Sequence, residues 1–278
     1  MDAGVPQGTR IAPLLFLLMI NDFKPSPESI AAFKYVDDLS MVECRNIAQP
    51  SSAQTAVTAL HEWCTDNRMS LNPAKCMRLD FSFSRNRPEI QPIYIQDHEL
   101  IPVTSTKILG VVVQSDLKWE ENVKNIERRA NSKLYMLRLL KRHNLPCRDL
   151  LTVYTCYVRP ITEYAAPVWN GAITANQNMR LERIQKRALR IIFGKHYSTY
   201  ENVLKQCNLP SLEDRRLSLC TTFIEKTMKY TDQFQEYMPP ATNLRTLRKQ
   251  KRVKEIRCKT KRMQNSSIPY LSRLYNNM

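Results

Sequence analysis

The sequence predicts an α+β protein, in which a mixed unit of roughly a hundred residues precedes a mostly helical region. Three observations support this prediction. Short apolar runs separated by turn residues occupy residues 31–113, whereas long stripes with helical spacing begin after Trp119. The charge also changes sign along the chain. Residues 1–100 hold 9 basic and 12 acidic side chains, and residues 101–278 hold 33 and 14.

The overall composition indicates a folded, basic protein. Its 278 residues are 43% hydrophobic, enough for one sizeable core or for two domains. A net charge of +16 favours a polyanionic partner, with nucleic acid ahead of a membrane surface. The 8 cysteines are scattered without a C-x-x-C pair, which is typical of reduced thiols in an intracellular protein.

An apolar run near the start, residues 11–20, resembles the core of a signal peptide. It is shorter than the ~20 residues that span a bilayer, and no small-residue cleavage site follows it. We therefore expect neither secretion nor membrane insertion. Instead, residues 4–8 form a loop and Pro13 opens a helix that turns residues 14–20 inward.

The next elements are predicted from their periodicity. Residues 31–36 and 39–44 flank Asp37 and Asp38 as a tight hairpin with the two acids at its tip. A helix beginning near Ala53 ends near Asn67 and lies on the sheet. Three further segments look like strands, with Gly110 marking a bulge or a close backbone approach: residues 76–83, 93–95 and 107–113.

Two amphipathic helices with basic outer faces follow. The first buries Val123, Ile126, Ala130, Leu134, Leu137 and Leu140, and the second buries Leu181, Ile184, Ala188 and Ile191. Their outward cations include Arg128, Arg138, Arg180, Arg183, Lys186, Arg187 and Arg190. Residues 245–262 hold ten basic residues and one acid, which is typical of a solvated or disordered run.

Adjacent carboxylates at a hairpin tip are candidate metal ligands, because the turn defeats the alternation that separates neighbouring side chains in a strand. Mg²⁺ takes one or two protein carboxylates and completes its shell with water and phosphate. Two such ions, about 3.5–4 Å apart, activate the attacking oxygen and stabilise the leaving oxygens in phosphoryl transfer. A capped turn without chemistry is the alternative for Asp37 and Asp38.

Four motifs occur in one order at compatible separations: GVPQGTRIAPLLF (residues 4–16), AFKYVDD (32–38), SLNPAKC (70–76) and KILGVVVQSDLKW (107–119). This combination resembles the reverse transcriptases of non-long-terminal-repeat retrotransposons, most closely the jockey-like group. The resemblance continues through residues 153–170 and 181–192, so it covers most of the chain up to about residue 195 and becomes weaker beyond it.

The resemblance implies a partial polymerase palm, an antiparallel sheet with packed helices, in residues 1–117. It further implies a helical thumb and connection in residues 118–195 and a basic, helical or partly disordered region in residues 196–278. The implied activity is RNA-directed DNA synthesis with Mg²⁺, or alternatively Mn²⁺. The implied partners are an RNA template, a DNA primer and deoxynucleoside triphosphates, with no membrane, and the implied location is the nucleus.

The family's roles carry over by position. Asp37 resembles the metal-binding carboxylate of the polymerase hairpin, Asp38 its partner, and Lys75 the lysine that protonates the departing pyrophosphate, although Lys75 also fits an ordinary surface lysine. The residues that resemble template or nucleotide contacts are Pro6, Gln7, Gly8 and Tyr35. Leu109 and Gly110 resemble the turn that grips the primer strand, but Gly110 also fits a structural glycine.

In the family, a further catalytic aspartate lies on a strand upstream of the loop at residues 4–8. We therefore expect the isolated chain to be a poor polymerase or none. The alternative is a non-enzymatic remnant that binds nucleic acid through its basic helices. Primer extension that Asp37→Ala abolishes would indicate the polymerase, whereas salt-sensitive binding that survives Asp37→Ala would indicate the remnant.

Overall fold

The computed structural model describes residues 9–46, 49–84, 91–231, 234–241 and 251–278. The chain divides into two compact units, Met1–Thr106 and Lys107–Met278. The first unit combines helices with small sheets, and the second is mostly helical. The predicted α+β class, with mixed structure preceding helices, is therefore confirmed.

The first unit contains two helices and three two-stranded sheets within its described residues. Strands β1 and β2 pair antiparallel, as do β4 and β5, whereas β3 and β6 pair parallel. The elements are α1 Ala12–Asn21, β1 Ile30–Tyr35, β2 Asp38–Glu43, α2 Ala53–Asp66, β3 Arg78–Leu79, β4 Tyr94–Ile95, β5 His98–Glu99 and β6 Pro102–Val103.

Helix α1 corrects one prediction. It begins as expected, with Pro13 in its first turn, but it does not turn residues 14–20 inward. Only Ile20 is buried, whereas Leu14 and Leu18 are 61% and 71% exposed. The prediction is wrong because the apolar run indicates only that the helix has a face suited to burial. The run does not indicate whether a neighbouring element covers that face.

Helix α2 ends at Asp66, with Asn67 as its C-cap, as the sequence predicts. Its Gln54 side chain donates to the Tyr94 carbonyl at 3.1 Å and accepts from the Tyr94 amide at 2.7 Å. These bonds fix the helix to β4, where Val57 packs with Ile95 and Leu100 in a small core. The prediction that this helix lies on a sheet is confirmed for the β4–β5 sheet.

A hairpin links the two units in sequence, and helices follow it. The hairpin strands are β7 Ser105–Ile108 and β8 Val111–Gln114, so the single strand predicted over residues 107–113 is wrong. The helices are α3 Glu120–Arg142, α4 Cys147–Val153, α5 Arg159–Glu163, α6 Ala166–Trp169, α7 Ala175–Phe193, α8 Tyr200–Cys207, α9 Leu212–Tyr230, α10 Lys261–Asn265 and α11 Ser267–Asn277. A π-helical turn, Tyr154–Val158, joins α4 to α5.

Helices α3 and α7 run side by side in the same direction. Arg180 binds Glu120 and Glu127 near their starts, and Lys141 donates to the Ile192 carbonyl at 2.8 Å near their ends. The predicted apolar stripes are buried between them, except that Leu140 and Ile191 are only partly covered. This packing leaves most of the basic residues on the outside, as amphipathic helices require.

The C-terminal region is tied to the same core. Asn170 donates to the Tyr270 hydroxyl at 3.2 Å, and a Cβ at Gly171 would collide with the Tyr270 ring. In the basic run, the described residues 251–262 are mostly exposed, but Val253 is buried. Among the residues that the structure describes, no helix is both long and apolar enough to cross a membrane.

Candidate active site

The two acids lie on the hairpin that the sequence predicts. Strands β1 and β2 pair in register from Ile30 opposite Glu43 to Tyr35 opposite Asp38, so Val36 and Asp37 form a two-residue turn. Val36 has φ 54°, a left-handed conformation that is strained for a β-branched residue. Asp37 therefore occupies the tip itself, and Asp38 is the first residue of β2.

Both carboxylates are open to a ligand. Asp37 and Asp38 are exposed, and neither has a hydrogen-bond or ion-pair partner among the described residues. Two oxygen donors without protein partners suit Mg²⁺, which usually takes one or two protein carboxylates and keeps water or phosphate in its other positions. The described part of the chain contains no group of three or more metal-ligating side chains. The hairpin therefore fits two ligands of a magnesium site, not a complete protein cage.

Lys34, which the sequence analysis missed, fixes this hairpin in the first unit. Its ammonium donates to the carbonyls of Ile20, Asn21 and Phe23 at 2.8, 3.2 and 2.5 Å. These carbonyls lie at the C-terminal end of α1, where backbone acceptors lack helical partners and a cation is favoured. Lys34 thus ties the strand leading to Asp37 to the end of α1.

A signal for Lys34 is present in the strand alternation. The burial of β1 alternates, with Ile30 buried, Ala32 and Lys34 partly covered, and the residues between them exposed. A lysine in the covered phase of a strand must find acceptors, because an unpaired buried ammonium is costly. Its position in phase with Ile30 was therefore a usable indication.

The other predicted residues of the first unit are only partly placed. Lys75 ends a short 3₁₀ turn, Pro73–Lys75, and its side chain is exposed. The next residue, Cys76, packs against the small core that contains Val57. No hydrogen bond or ion pair joins Lys75 to Asp37 or Asp38 in the described structure. Pro6, Gln7 and Gly8 lie outside the described residues.

Leu109 and Gly110 form the turn of the β7–β8 hairpin. Their φ angles are 45° and 87°, and two successive positive values define a type I′ turn. Glycine is favoured at the second position because it has no Cβ, whereas Leu109 adopts its conformation under strain. Ile108 and Leu109 are 40% and 45% exposed, so the tip presents an apolar surface.

The second unit carries a basic surface on the neighbouring outer faces of α3 and α7. Arg187 donates to Asn131 at 3.1 Å and so marks where the two faces adjoin. Seven exposed cations on these helices have neither an ion-pair partner nor an aromatic ring beside them among the described residues, namely Arg128, Arg129, Lys133, Arg138 and Arg142 on α3, and Arg183 and Arg187 on α7. We call this set the basic surface.

The acids on these two helices do not neutralise the basic surface. Glu120 and Glu127 pair with Arg180, and Glu121 pairs with Lys124 at 2.8 Å. Hydrogen bonds from Arg180 and Gln177 lower the pKa of Glu120. Glu182 accepts from the Tyr200 hydroxyl and from the Leu212 amide. These acids all pair with groups other than the cations of the basic surface, which therefore keeps its positive charge.

Comparison with known proteins gives a family match over the segment that contains the Asp37–Asp38 hairpin. Residues 1–113 match the family described as reverse transcriptase (RNA-dependent DNA polymerase). The chain is 25% identical, over 90% of its length, to the probable RNA-directed DNA polymerase from transposon BS of Drosophila melanogaster, of which it covers 29%. No solved structure gives a significant match.

Two further relatives extend the likeness over both units. One is the probable RNA-directed DNA polymerase from transposon X-element of Drosophila melanogaster, 26% identical over 84% of this chain and 26% of the relative. Another is the RNA-directed DNA polymerase from mobile element jockey of Drosophila funebris, 22% identical over 81% and 26%. The chain thus spans between a quarter and a third of each relative. Residues 1–113 thus match a reverse transcriptase family, and most of the chain is similar to proteins named as RNA-directed DNA polymerases of transposon BS, transposon X-element and mobile element jockey.

Proposed function

We propose that this chain is a part of an RNA-directed DNA polymerase that carries metal-binding carboxylates and a surface for the primer–template duplex. The observation that carries the proposal is the hairpin turn inside the segment that matches reverse transcriptases, where Asp37 and Asp38 have no partner among the described residues. In this proposal the first unit contributes to the palm and α3 to the thumb.

Asp37 and Asp38 would hold Mg²⁺, with Mn²⁺ as a substitute, together with ligands from other parts of the polymerase and from nucleotide phosphate. When bound, the ions would lower the pKa of the primer 3′-hydroxyl and neutralise charge on the phosphates of the nucleotide. The hairpin contributes rigidity, because Lys34 fixes the strand that precedes the turn. Lys75 is the proposed proton donor to pyrophosphate, and Tyr35 a proposed nucleotide contact.

The basic surface would bind the RNA–DNA duplex through its phosphates. Seven cations on two helices offer several phosphate contacts without reading sequence, as a polymerase thumb requires. The primer strand would lie against the exposed tip at Ile108 and Leu109. Phosphate contacts do not depend on base sequence, so they would hold the duplex as each added nucleotide brings new base pairs into the same position.

The test is extension of a labelled DNA primer on an RNA template with Mg²⁺ or Mn²⁺. We expect Asp37→Asn to abolish the extension that the unchanged chain gives. Asp22→Asn, at the exposed end of α1, is the matched control and should leave extension unchanged. Extension that persists in Asp37→Asn would contradict the proposed role of the hairpin.

A second candidate function is nucleic-acid binding without catalysis, which the basic surface alone favours. It predicts duplex affinity that falls steeply with salt and does not depend on Asp37 or on divalent metal. A chain that binds duplex in this way but extends no primer under any metal condition would support this second function.

A further inference from the structure

The turn at Leu109 and Gly110 needs support beyond its own strands. Each strand of the β7–β8 hairpin has four residues, and Leu109 is held at a positive φ that leucine rarely adopts. A strained residue persists only where surrounding contacts determine its conformation. The partly exposed tip buries too little apolar surface to supply those contacts.

Tyr164, which follows α5, supplies two of them. Its hydroxyl donates to the Leu109 carbonyl at 2.8 Å. Its ring lies against Gly110, where a Cβ would stand 3.2 Å from the Tyr164 Cε1 atom. One side chain therefore holds the carbonyl of the first turn residue and packs on the second.

Tyr164 is itself held firmly at the corner between α5 and α6. Ala165 has φ 51°, which turns the chain sharply, and the Trp169 indole donates to the Tyr164 carbonyl at 3.0 Å. Trp169 is completely buried, and the Arg216 guanidinium lies 5.7 Å from its ring centroid. A continuous series of contacts thus runs from the helical core to the turn.

Core packing alone does not explain Tyr164. Its side chain is 54% exposed, so its contribution to apolar burial is small. Its hydroxyl donates to the turn. The arrangement suits a residue that orients a neighbouring loop more than one that fills a core.

We propose that Tyr164 is a positioning residue that holds the Leu109–Gly110 turn in the conformation with which it contacts the primer strand. This inference rests on the proposed polymerase function. Tyr164 belongs to the helical unit and would set the geometry of a primer contact. This role gives a reason for the bond from the Trp169 indole to the Tyr164 carbonyl at the α5–α6 corner.

The first test follows hydrogen exchange in residues 105–114 of the full chain, without nucleic acid. Tyr164→Phe keeps the ring and removes the hydrogen bond, so we expect roughly 2- to 10-fold faster exchange in the turn, the range that one net hydrogen bond gives. Tyr164→Ala should increase it further. Tyr157→Phe is the matched control, because Tyr157 is 60% exposed and has no hydrogen-bond partner among the described residues.

The second test measures anisotropy with a labelled RNA–DNA duplex that has a recessed primer end and with a blunt duplex of equal length. We expect Tyr164→Ala to reduce the preference for the recessed end several-fold, whereas Tyr157→Ala should not change it. A residue that only stabilises the fold would weaken both duplexes equally. That result, or unchanged exchange in the turn, would overturn the inference.

The two tests separate failure of the inference from failure of the proposed function. If the unchanged chain bound neither duplex, the proposed function would be contradicted, and the inference with it. Faster exchange in Tyr164→Phe would then still show that Tyr164 holds the turn. If the duplexes bound normally but exchange was unaffected, only the role of Tyr164 would be lost.

Discussion

The two units of the chain hold their functional residues in different ways. In the described part of the first unit, the core cluster has three buried residues, Val57, Ile95 and Leu100, and α1 exposes much of its apolar side. Among the described residues of the second unit, 24 buried residues form one cluster. The hairpin that carries Asp37 and Asp38 thus depends on a few polar contacts such as those of Lys34, whereas the basic surface rests on a large core.

The largest expected effect comes from breaking the second core. Leu134 on α3 is completely buried, so Leu134→Ala should lower the free energy of unfolding of the second unit by about 2–5 kcal/mol. The measurement is denaturant unfolding, with Leu217→Ala as a control because Leu217 is 41% exposed. Equal losses in the two variants would show that the second unit is not organised around this core.

The hairpin should respond most to Lys34. Lys34→Met removes a cation that binds three carbonyls, and we expect a loss of about 1.5–3 kcal/mol in local stability, the worth of hydrogen bonds to a charged group. Hydrogen exchange in residues 30–43 measures it. Lys24→Met is the control, since Lys24 is exposed and has no partner in the described structure. Similar exchange in the two variants would contradict the role of Lys34.

Two arginines on α7, Arg183 and Arg180, should affect different properties, namely duplex binding and stability. Arg183→Gln should reduce the slope of log affinity against log salt by roughly 0.9 for a duplex, without loss of stability, because Arg183 is exposed and unpaired among the described residues. Arg180→Gln should instead lower stability, because Arg180 pairs with Glu120 and Glu127. Titration of duplex binding at several salt concentrations, with unfolding curves, separates the two. If Arg183→Gln lowered stability and Arg180→Gln reduced the salt dependence of binding, the assignment of Arg183 to the duplex-binding surface would be contradicted.

The smallest effect concerns pH. Arg180 and Gln177 lower the pKa of Glu120 below its ordinary value of 4.5 in the folded chain. The ionised carboxylate therefore contributes stability above about pH 4.5, and that contribution is lost as the pH falls through the folded pKa. Urea unfolding of the unchanged chain should show a stability difference between neutral and acid pH that is smaller in Arg180→Gln. An equal pH dependence in both would contradict the pairing.

Much of the fold could be predicted from periodicity. The stripes of α2, α3 and α7 and the hairpin at Asp37 follow from spacing, because each element must cover one face. Two features did not follow. The apolar run of α1 does not reveal which surfaces lie beside it, and Leu109 gives no local sign that it will adopt the left-handed conformation that turns residues 107–113 into a hairpin.

The candidate site was predictable only where the chain order itself brings its residues together. Asp37 and Asp38 are neighbours, so a turn suffices to present them. The roles of Lys34 and Tyr164 depend on bonds to residues 11 to 14 and 55 positions away. Strand alternation indicates that Lys34 is partly covered, but it does not identify the carbonyls that Lys34 binds, and no local pattern marks Tyr164. The proton donor at Lys75 and the nucleotide contact at Tyr35 stay predictions.

The proposed metal site can be tested most directly by Mn²⁺ binding to the full chain in the presence of RNA–DNA duplex, measured as the loss of the electron paramagnetic resonance signal of the free ion. We expect the unchanged chain to bind Mn²⁺, and we expect Asp37→Asn with Asp38→Asn to abolish this binding while duplex affinity without metal is unchanged. Mn²⁺ binding that survives the double substitution would contradict the claim that the hairpin carries the metal site.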